Sequence, residues 1–269
     1  MSLDICELID DWESPADSVA ARELTGFDGA KLLQLRVELG VLQMFREGRP
    51  DGDRPHGMPS VLEFVEHELR LGSQPRTATW DELRREIQQF NYRRVAEAAI
   101  AEKAIQAQSA EQATYTVERC ADDITFCLRG LCLLNEHCKG GAGQLAAMIP
   151  NLVFHRARLR TRLRCCQQRF DQAIEEAETG ARELCIVLEA AGFDESIRAR
   201  DPGVTFLRDL AARIRKEHDV RDELRERLQA AIDAEDFEAA ARLRDELRRR
   251  GAEGGASSDA ASEPGGEDE

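Results

Sequence analysis

Cysteine and histidine residues cluster in the middle of the 269-residue chain, and their thiolates and imidazoles are the groups that zinc favours. Six, four and five residues separate the successive cysteines, so the Cys-x-x-Cys pair typical of zinc sites is missing. Cys120 and Cys127 share a helical face with Ile124, which favours buried, apolar thiols. We therefore predict no metal and no cofactor. The cluster consists of Cys120, Cys127, Cys132, Cys138, His137 and His155.

Arginines crowd the next predicted helix, within a stretch from Lys139 to Phe170 that contains no carboxylate. Such a surface could bind an anion or RNA, and the candidate anion-binding residues are Arg156, Arg160 and Arg164. The helix that follows is rich in acids, at Asp171, Glu175, Glu176, Glu178 and Glu183. Neutralisation between two antiparallel helices explains the pattern without a ligand, and we favour that interpretation.

A polar loop spans residues 48–59, where three prolines and three glycines fall within twelve residues. It contains Arg49, Asp51, Asp53, Arg54 and His56, which could form a site because ordered long loops are often functional. The sequence has no Ser–His–Asp set, phosphate-cradling glycine loop or His-Glu-x-x-His motif. We therefore predict a surface connection, no catalytic residues and no enzyme activity.

Composition limits the class of protein. The formal charge is −15 with an isoelectric point near 4.9, which argues against general nucleic-acid binding, since that affinity comes mainly from cations. No apolar run approaches the roughly 18–20 residues of a membrane span. The N-terminus carries acid where a signal peptide carries base. We expect a cytoplasmic protein with free thiols.

Helical periodicity dominates the remaining sequence and predicts an all-α fold. Short helices are predicted over 16–25 and 29–45, the latter from apolar residues at three- and four-residue spacing. We expect an irregular helical bundle with helical hairpins like those of tetratricopeptide repeats, because residues 168–174 resemble the turn of that repeat. The predicted layout is a helical body over 1–200, a connecting helix over 201–219, a hairpin over 220–250 and a disordered acidic tail over 251–269.

The hairpin over 220–250 combines two apolar stripes that would face each other. Asp236 is placed to cap the second helix, and Phe237 is predicted to wedge into the bend. Ten acids and eight bases across residues 219–250 exclude a basic DNA-binding region. The stripes are Leu224, Leu228 and Ile232 on one helix, and Ala239, Ala240, Leu243 and Leu247 on the other.

This segment resembles the UVR motif, named for the UvrB and UvrC excision-repair proteins. In that family the hairpin pairs one protein with another, and it also occurs in Clp-type ATPases and in the activator of bacterial protein-arginine kinase. The resemblance therefore implies a partner-binding site, for which the candidates are Leu228, Ile232, Phe237, Ala240, Arg244 and Asp245. It is carried by Ala231, Ile232, Asp236, Phe237, Glu238, Ala240, Ala241, Arg244, Asp245 and Leu247.

Two functions follow from these observations. The first is a non-enzymatic adaptor that docks a protein partner through the UVR hairpin, in excision repair or in Clp-type protein quality control. The alternative is a DNA-repair accessory protein that contacts nucleic acid through the helix from Arg156 to Arg169. Self-association of the chain is left open by both.

Overall fold

A computed structural model of the chain describes Ile9, Trp12 and residues 19–37, 40–233 and 237–256. The described part of the chain is about 72% helical, which confirms the predicted all-α class apart from one small sheet. The chain divides into two compact units, residues 1–208 and 209–269.

The sheet is a three-stranded antiparallel meander of β1 (Ala21–Thr25), β2 (Lys31–Val37) and β3 (Gly40–Phe45). The register places Leu33 opposite Glu23 and Met44, and Leu35 opposite Ala21 and Leu42. These side chains form the inner face of the sheet, which packs on Ala96 and Ile100 of a long helix. The sheet is thereby anchored to the helical core.

The helices predicted over 16–25 and 29–45 are wrong, because the described part of these segments forms strands. Residues 32–35 are buried consecutively, so β2 lacks the alternation of apolar and polar residues that marks a half-buried strand. Its leucines then fit a helical spacing by accident. The better signal was the turn between β1 and β2, where Gly29 has φ +81° and the amide of Gly26 donates to Ala30.

Three helices form the first part of the core: α1 (Val61–Arg70), α2 (Thr77–Gln106) and α3 (Ala110–His137). The predicted loop over 48–59 is confirmed, with a short 3₁₀ turn at Pro55–Gly57. Ser60 accepts a hydrogen bond from the amide of Glu63 at 3.1 Å and so caps α1.

A 3₁₀ turn, Gly143–Ala147, leads into a second pair of helices, α4 (Met148–Cys166) and α5 (Phe170–Ala190), followed by the short α6 (Glu195–Ala199). The connection between α4 and α5 has three residues, and Gln168 in it adopts φ +58° while the amide of Arg169 donates to Arg164. Gln108 closes α2 in the same left-handed conformation. Both turns are helix ends of the Schellman type.

The α4 and α5 helices pack closely because small residues face each other. A Cβ atom added to Gly180 would lie less than 3.0 Å from the Cβ of Ala157. Leu207, near the start of the next helix, is fully buried in the same cluster. The resemblance to a tetratricopeptide repeat stays a prediction.

Two further helices follow among the described residues, α7 (Pro202–Asp233) and α8 (Phe237–Ala256). Asp201 caps α7 by accepting from the amide of Val204 at 3.0 Å. The predicted connecting helix and the first helix of the hairpin are one continuous helix, and the boundary between the two units falls within it. The predicted cap Asp236 lies outside the described residues. The tail predicted over 251–269 is wrong at its start, because α8 continues to Ala256, and residues 257–269 lie outside the described residues.

Candidate interaction site

Apolar side chains are exposed where α7 ends and where α8 begins. Ile232, in the last turn of α7, is 47% exposed, and Phe237, the first residue of α8, is 73% exposed. Leu224 is buried and Leu228 is partly buried, so the apolar stripe of α7 becomes more accessible towards the bend. The accessible part of the hairpin is therefore the end that carries Ile232 and Phe237.

The prediction that Phe237 wedges into the bend is wrong, since most of its side chain is exposed. In a helix each Cα–Cβ bond tilts towards the N-terminus. The first residue of a helix has no preceding turn of that helix for its side chain to cover, so Phe237 is left accessible. Ile232 is exposed as well, although its stripe was expected to face the second helix, and this exposure makes both residues available to a partner.

Charged residues border this apolar surface on α8. Arg244 and Asp245 are exposed, with 4.0 Å between Arg244 Nε and Asp245 Oδ1. Phe237, Ala240 and Arg244 follow one another at three- and four-residue spacing and so share one face of the helix. Ala240 is partly buried. The six residues proposed from the sequence thus range from partly buried to exposed, with aliphatic, aromatic and charged groups on one short hairpin.

Comparison with known families bears on this hairpin alone. Residues 219–249 match the UvrB/uvrC motif, UVR. The match covers a small part of the chain and agrees with the segment proposed from the sequence. No curated protein and no solved structure matches the chain significantly. The family assignment therefore applies to the UVR hairpin and leaves residues 1–208 without a named relative.

The arginines of α4 are largely neutralised by acids of neighbouring helices. Arg156 donates to Glu183 at 2.9 Å, and Arg164 lies 3.5 Å from Glu176. Arg160 is exposed. Two of the three candidate anion-binding residues thus pair with α5, which confirms the neutralisation that we favoured from the sequence. The two other arginines of the α4 stretch, Arg158 and Arg162, pair with Glu102 on α2.

Cys120 and Cys127 of α3 behave as buried apolar groups, as predicted, whereas Cys132 of the same helix is exposed. Cys120 and Cys127 are fully buried in the core, where their thiols donate to the carbonyl oxygens of Arg94 and Ile87. Burial raises the pKa of both thiols, that of Cys127 to about 12. Such thiols stay protonated, whereas zinc binds the thiolate. His155 is also shielded, and its burial lowers its pKa to about 4, helped by the charges of two arginines.

Buried ion pairs hold the sheet, the loop and α3 onto α2. Glu97 is fully buried and accepts from Arg46 Nε and Nη2 at 2.8 Å each. Asp123 of α3 accepts from Arg93 at 2.7 and 2.9 Å. None of these four residues was predicted from the sequence to form a buried ion pair. The available signal was a charged residue at a position where the α2 pattern calls for an apolar one.

Glu86 performs a related task at the start of α1. Its two carboxylate oxygens accept from the amides of Val61 and Leu62 at 2.9 and 3.0 Å, and Arg49 Nε lies 3.2 Å away. A carboxylate at a helix N-terminus satisfies amides that have no partner within the helix. Glu86 therefore fastens the first turn of α1 to α2.

The loop over 48–59 is held by several polar contacts. His56 has φ +55°, stacks on Phe64 with 4.0 Å between ring centroids, and lies 3.1 Å from Glu82. Asp51 accepts from Gln89 at 2.9 Å. The loop is thus fastened to α1 and α2, and its polar residues serve mainly to position it.

None of the described helices combines the length and the apolar character that a membrane crossing needs. A cytoplasmic location stays a prediction.

Proposed function

We propose that the chain is a non-enzymatic cytoplasmic adaptor that docks a protein partner through the UVR hairpin. The observation that carries the proposal is the exposure of Ile232 and Phe237 at the bend of a segment that matches the UvrB/uvrC motif. The body formed by residues 1–208 would then present the adaptor's other surface to a client.

Physical chemistry supports the bend as the contact. Removing a Phe side chain from water is worth about 1.5–3 kcal/mol, and this gain is unrealised while Phe237 is exposed. A partner that covers Phe237 and Ile232 would gain this free energy on binding. The exposed charges of Arg244 and Asp245 lie on the same helix, where they can select among partners through charge pairing at the rim.

The contacts made by the buried charged groups of the body support a structural role for these groups. Arg46 is bound by Glu97, Arg93 by Asp123, and Glu86 by two amides of α1. Because the charges and hydrogen-bonding atoms of these groups are already paired within the protein, they serve to orient the elements of the fold. This favours an adaptor over an enzyme.

The motif suggests two sources of partner, excision-repair proteins and Clp-type ATPases of protein quality control. Purified UvrB, purified UvrC and a purified Clp-type ATPase that carries a UVR motif should each be titrated against the full chain by calorimetry. Phe237→Ala should weaken the productive complex at least tenfold, which corresponds to about 1.4 kcal/mol. Phe27→Ala is the matched control, because Phe27 is fully exposed in the β1–β2 turn of the other unit.

The stability of the variant separates docking from folding. Because Phe237 is mostly exposed, its truncation should change the free energy of unfolding by less than about 0.5 kcal/mol. Equal affinities of Phe237→Ala and the unmodified chain would show that the bend is not the docking surface. Equal losses in Phe237→Ala and Phe27→Ala would show that the binding is non-specific.

A further inference from the structure

The outer face of the sheet is covered although it points away from α2. Leu32 and Gln34 lie on this face, yet each is only 8% exposed. Trp12, from the N-terminal segment, is itself 8% exposed and lies against the same face. The sheet therefore packs on both sides, with helix α2 on one and a tryptophan on the other.

Two arginines of this face hold the tryptophan. The guanidinium carbon of Arg22 lies 4.3 Å from the centroid of the Trp12 ring, within the range of a cation–π interaction. Arg36 Nη1 donates to the carbonyl oxygen of Trp12 and, at 3.2 Å, to that of Ile9. The recognised groups are one aromatic ring and two backbone carbonyls. A peptide from another chain can supply the same groups.

Side chains of all three strands fix the position of Arg22. Arg22 Nε donates to Gln34 Oε1 at 2.8 Å, and Gln34 Nε2 donates to Gln43 Oε1 at 2.9 Å. These bonds belong to the sheet and do not involve Trp12. The arginine that receives the aromatic ring is thus positioned by the sheet itself, which lowers the entropic cost of binding a ligand there.

The sequence around Trp12 carries the charge opposite to that of the face. Residues 1–18 contain six carboxylates and no lysine or arginine. Arg22 and Arg36 place two positive charges on the surface where Trp12 lies. An acidic segment is attracted to such a surface, and the attraction weakens as salt is added.

We propose that the outer face of the sheet, formed by Arg22, Leu32, Gln34, Arg36 and Gln43, binds an acidic peptide of a protein partner that carries an aromatic residue at its centre. The chain's own Trp12 occupies the face as an intramolecular competitor. A partner gains access by displacing Trp12. Because Trp12 is tethered to the sheet by its own chain, it has a high effective concentration at the face, and the partner peptide must compete with that concentration. This surface lies in the body and is distinct from the UVR hairpin.

The test uses the full chain with Trp12→Ala, which vacates the face, and a fluorescein-labelled peptide with the sequence of residues 1–18 as the probe. Fluorescence anisotropy should show saturable binding at least tenfold tighter to Trp12→Ala than to the unmodified chain. The same peptide with alanine in place of its tryptophan should bind at least tenfold more weakly. In the Trp12→Ala background, Arg22→Ala and Arg36→Ala should each weaken binding, whereas the exposed Arg160→Ala should not.

Equal affinity for Trp12→Ala and the unmodified chain would overturn the proposal, as would binding that ignores both sheet arginines. A second measurement covers the case in which Trp12→Ala does not fold. Trp80→Phe leaves Trp12 as the single tryptophan of the chain. An excess of the peptide with phenylalanine at its centre should make Trp12 more accessible to acrylamide. Unchanged quenching, or a dimer of the unmodified chain that dissociates in Trp12→Ala, would refute displacement by a partner peptide.

Discussion

Gly180 and Ala157 offer a direct test of the packing between α4 and α5. In Gly180→Ala the new methyl group would lie less than 3.0 Å from the Cβ of Ala157. Both atoms are attached directly to helix backbones, so neither can move away by a change of side-chain rotamer. The two helices must separate instead, and the change tests whether their close approach is needed.

The magnitude follows from two opposing effects. Overpacking of this kind costs about 1–3 kcal/mol, while replacing a helical glycine by alanine gains about 1 kcal/mol of helix propensity. We expect Gly180→Ala to lower the free energy of unfolding by about 0–2 kcal/mol. Ala157→Gly loses propensity and a buried methyl group, about 1–2 kcal/mol.

The double variant should be close to the unmodified protein, because the propensity changes cancel and the relocated methyl occupies the vacated space. Its nearest neighbours would then be Leu207 Cδ1 at 3.4 Å and the Cα of residue 157 at 3.5 Å. The interaction energy in the cycle should therefore reach about 1–3 kcal/mol in the stabilising direction.

Urea unfolding followed by tryptophan fluorescence measures this cycle in the body alone, since both tryptophans, Trp12 and Trp80, belong to residues 1–208. Thermal melting should shift by roughly 2–4 °C per kcal/mol for a unit of this size. Single-variant effects that add to within about 0.5 kcal/mol would refute the reasoning. That outcome would mean that α4 and α5 do not approach as closely as the small residues allow.

Two further predictions concern buried charges. Burial lowers the pKa of His155 from 6.5 to about 4, so between these pH values the unfolded chain binds a proton that the folded chain does not bind. The free energy of unfolding should therefore fall by up to about 3 kcal/mol between pH 7 and 4. Urea titrations at several pH values should show a flatter dependence in His155→Gln, and parallel curves would contradict this. Glu97→Gln should cost up to about 3–5 kcal/mol, because it removes the fully buried carboxylate that pairs with Arg46 and leaves only the more accessible Glu23 as its charge partner. A cost in urea below about 1 kcal/mol would show the pair to be dispensable, and methionine at both positions should recover most of the loss.

The helices of the body could be predicted because several sequence signals coincide in them. Helix α5, Phe170–Ala190, begins after the turn at Gln168 and is closed by Gly192, which has φ +89°. Its apolar stripe, the preceding turn and the closing glycine all indicate the same segment. The cap of α1 at Ser60 was predictable for the same reason, since a Ser followed by a Glu three residues later leaves few alternatives.

The sheet could not be predicted in this way because its covering is not local in sequence. β2 is buried by α2 on one face and by Trp12 on the other, so its own residues show no alternation. The UVR hairpin was predictable from its motif, whereas the exposure of Phe237 depends on where α8 begins. The partner of a buried charge such as Glu97, which is 51 residues from Arg46, is likewise absent from any local pattern.

The short connections between paired helices also bear on how the chain reaches its structure. Three residues join α2 to α3 and three join α4 to α5, so the contacts within each pair close small loops, which form quickly. The sheet must instead find α2 across some fifty residues, as the separation of Arg46 and Glu97 shows. We therefore expect the helical pairs to assemble first and the strands to dock on them afterwards. The face of the sheet that binds Trp12 would then form late in folding, after the helices that support the sheet have assembled.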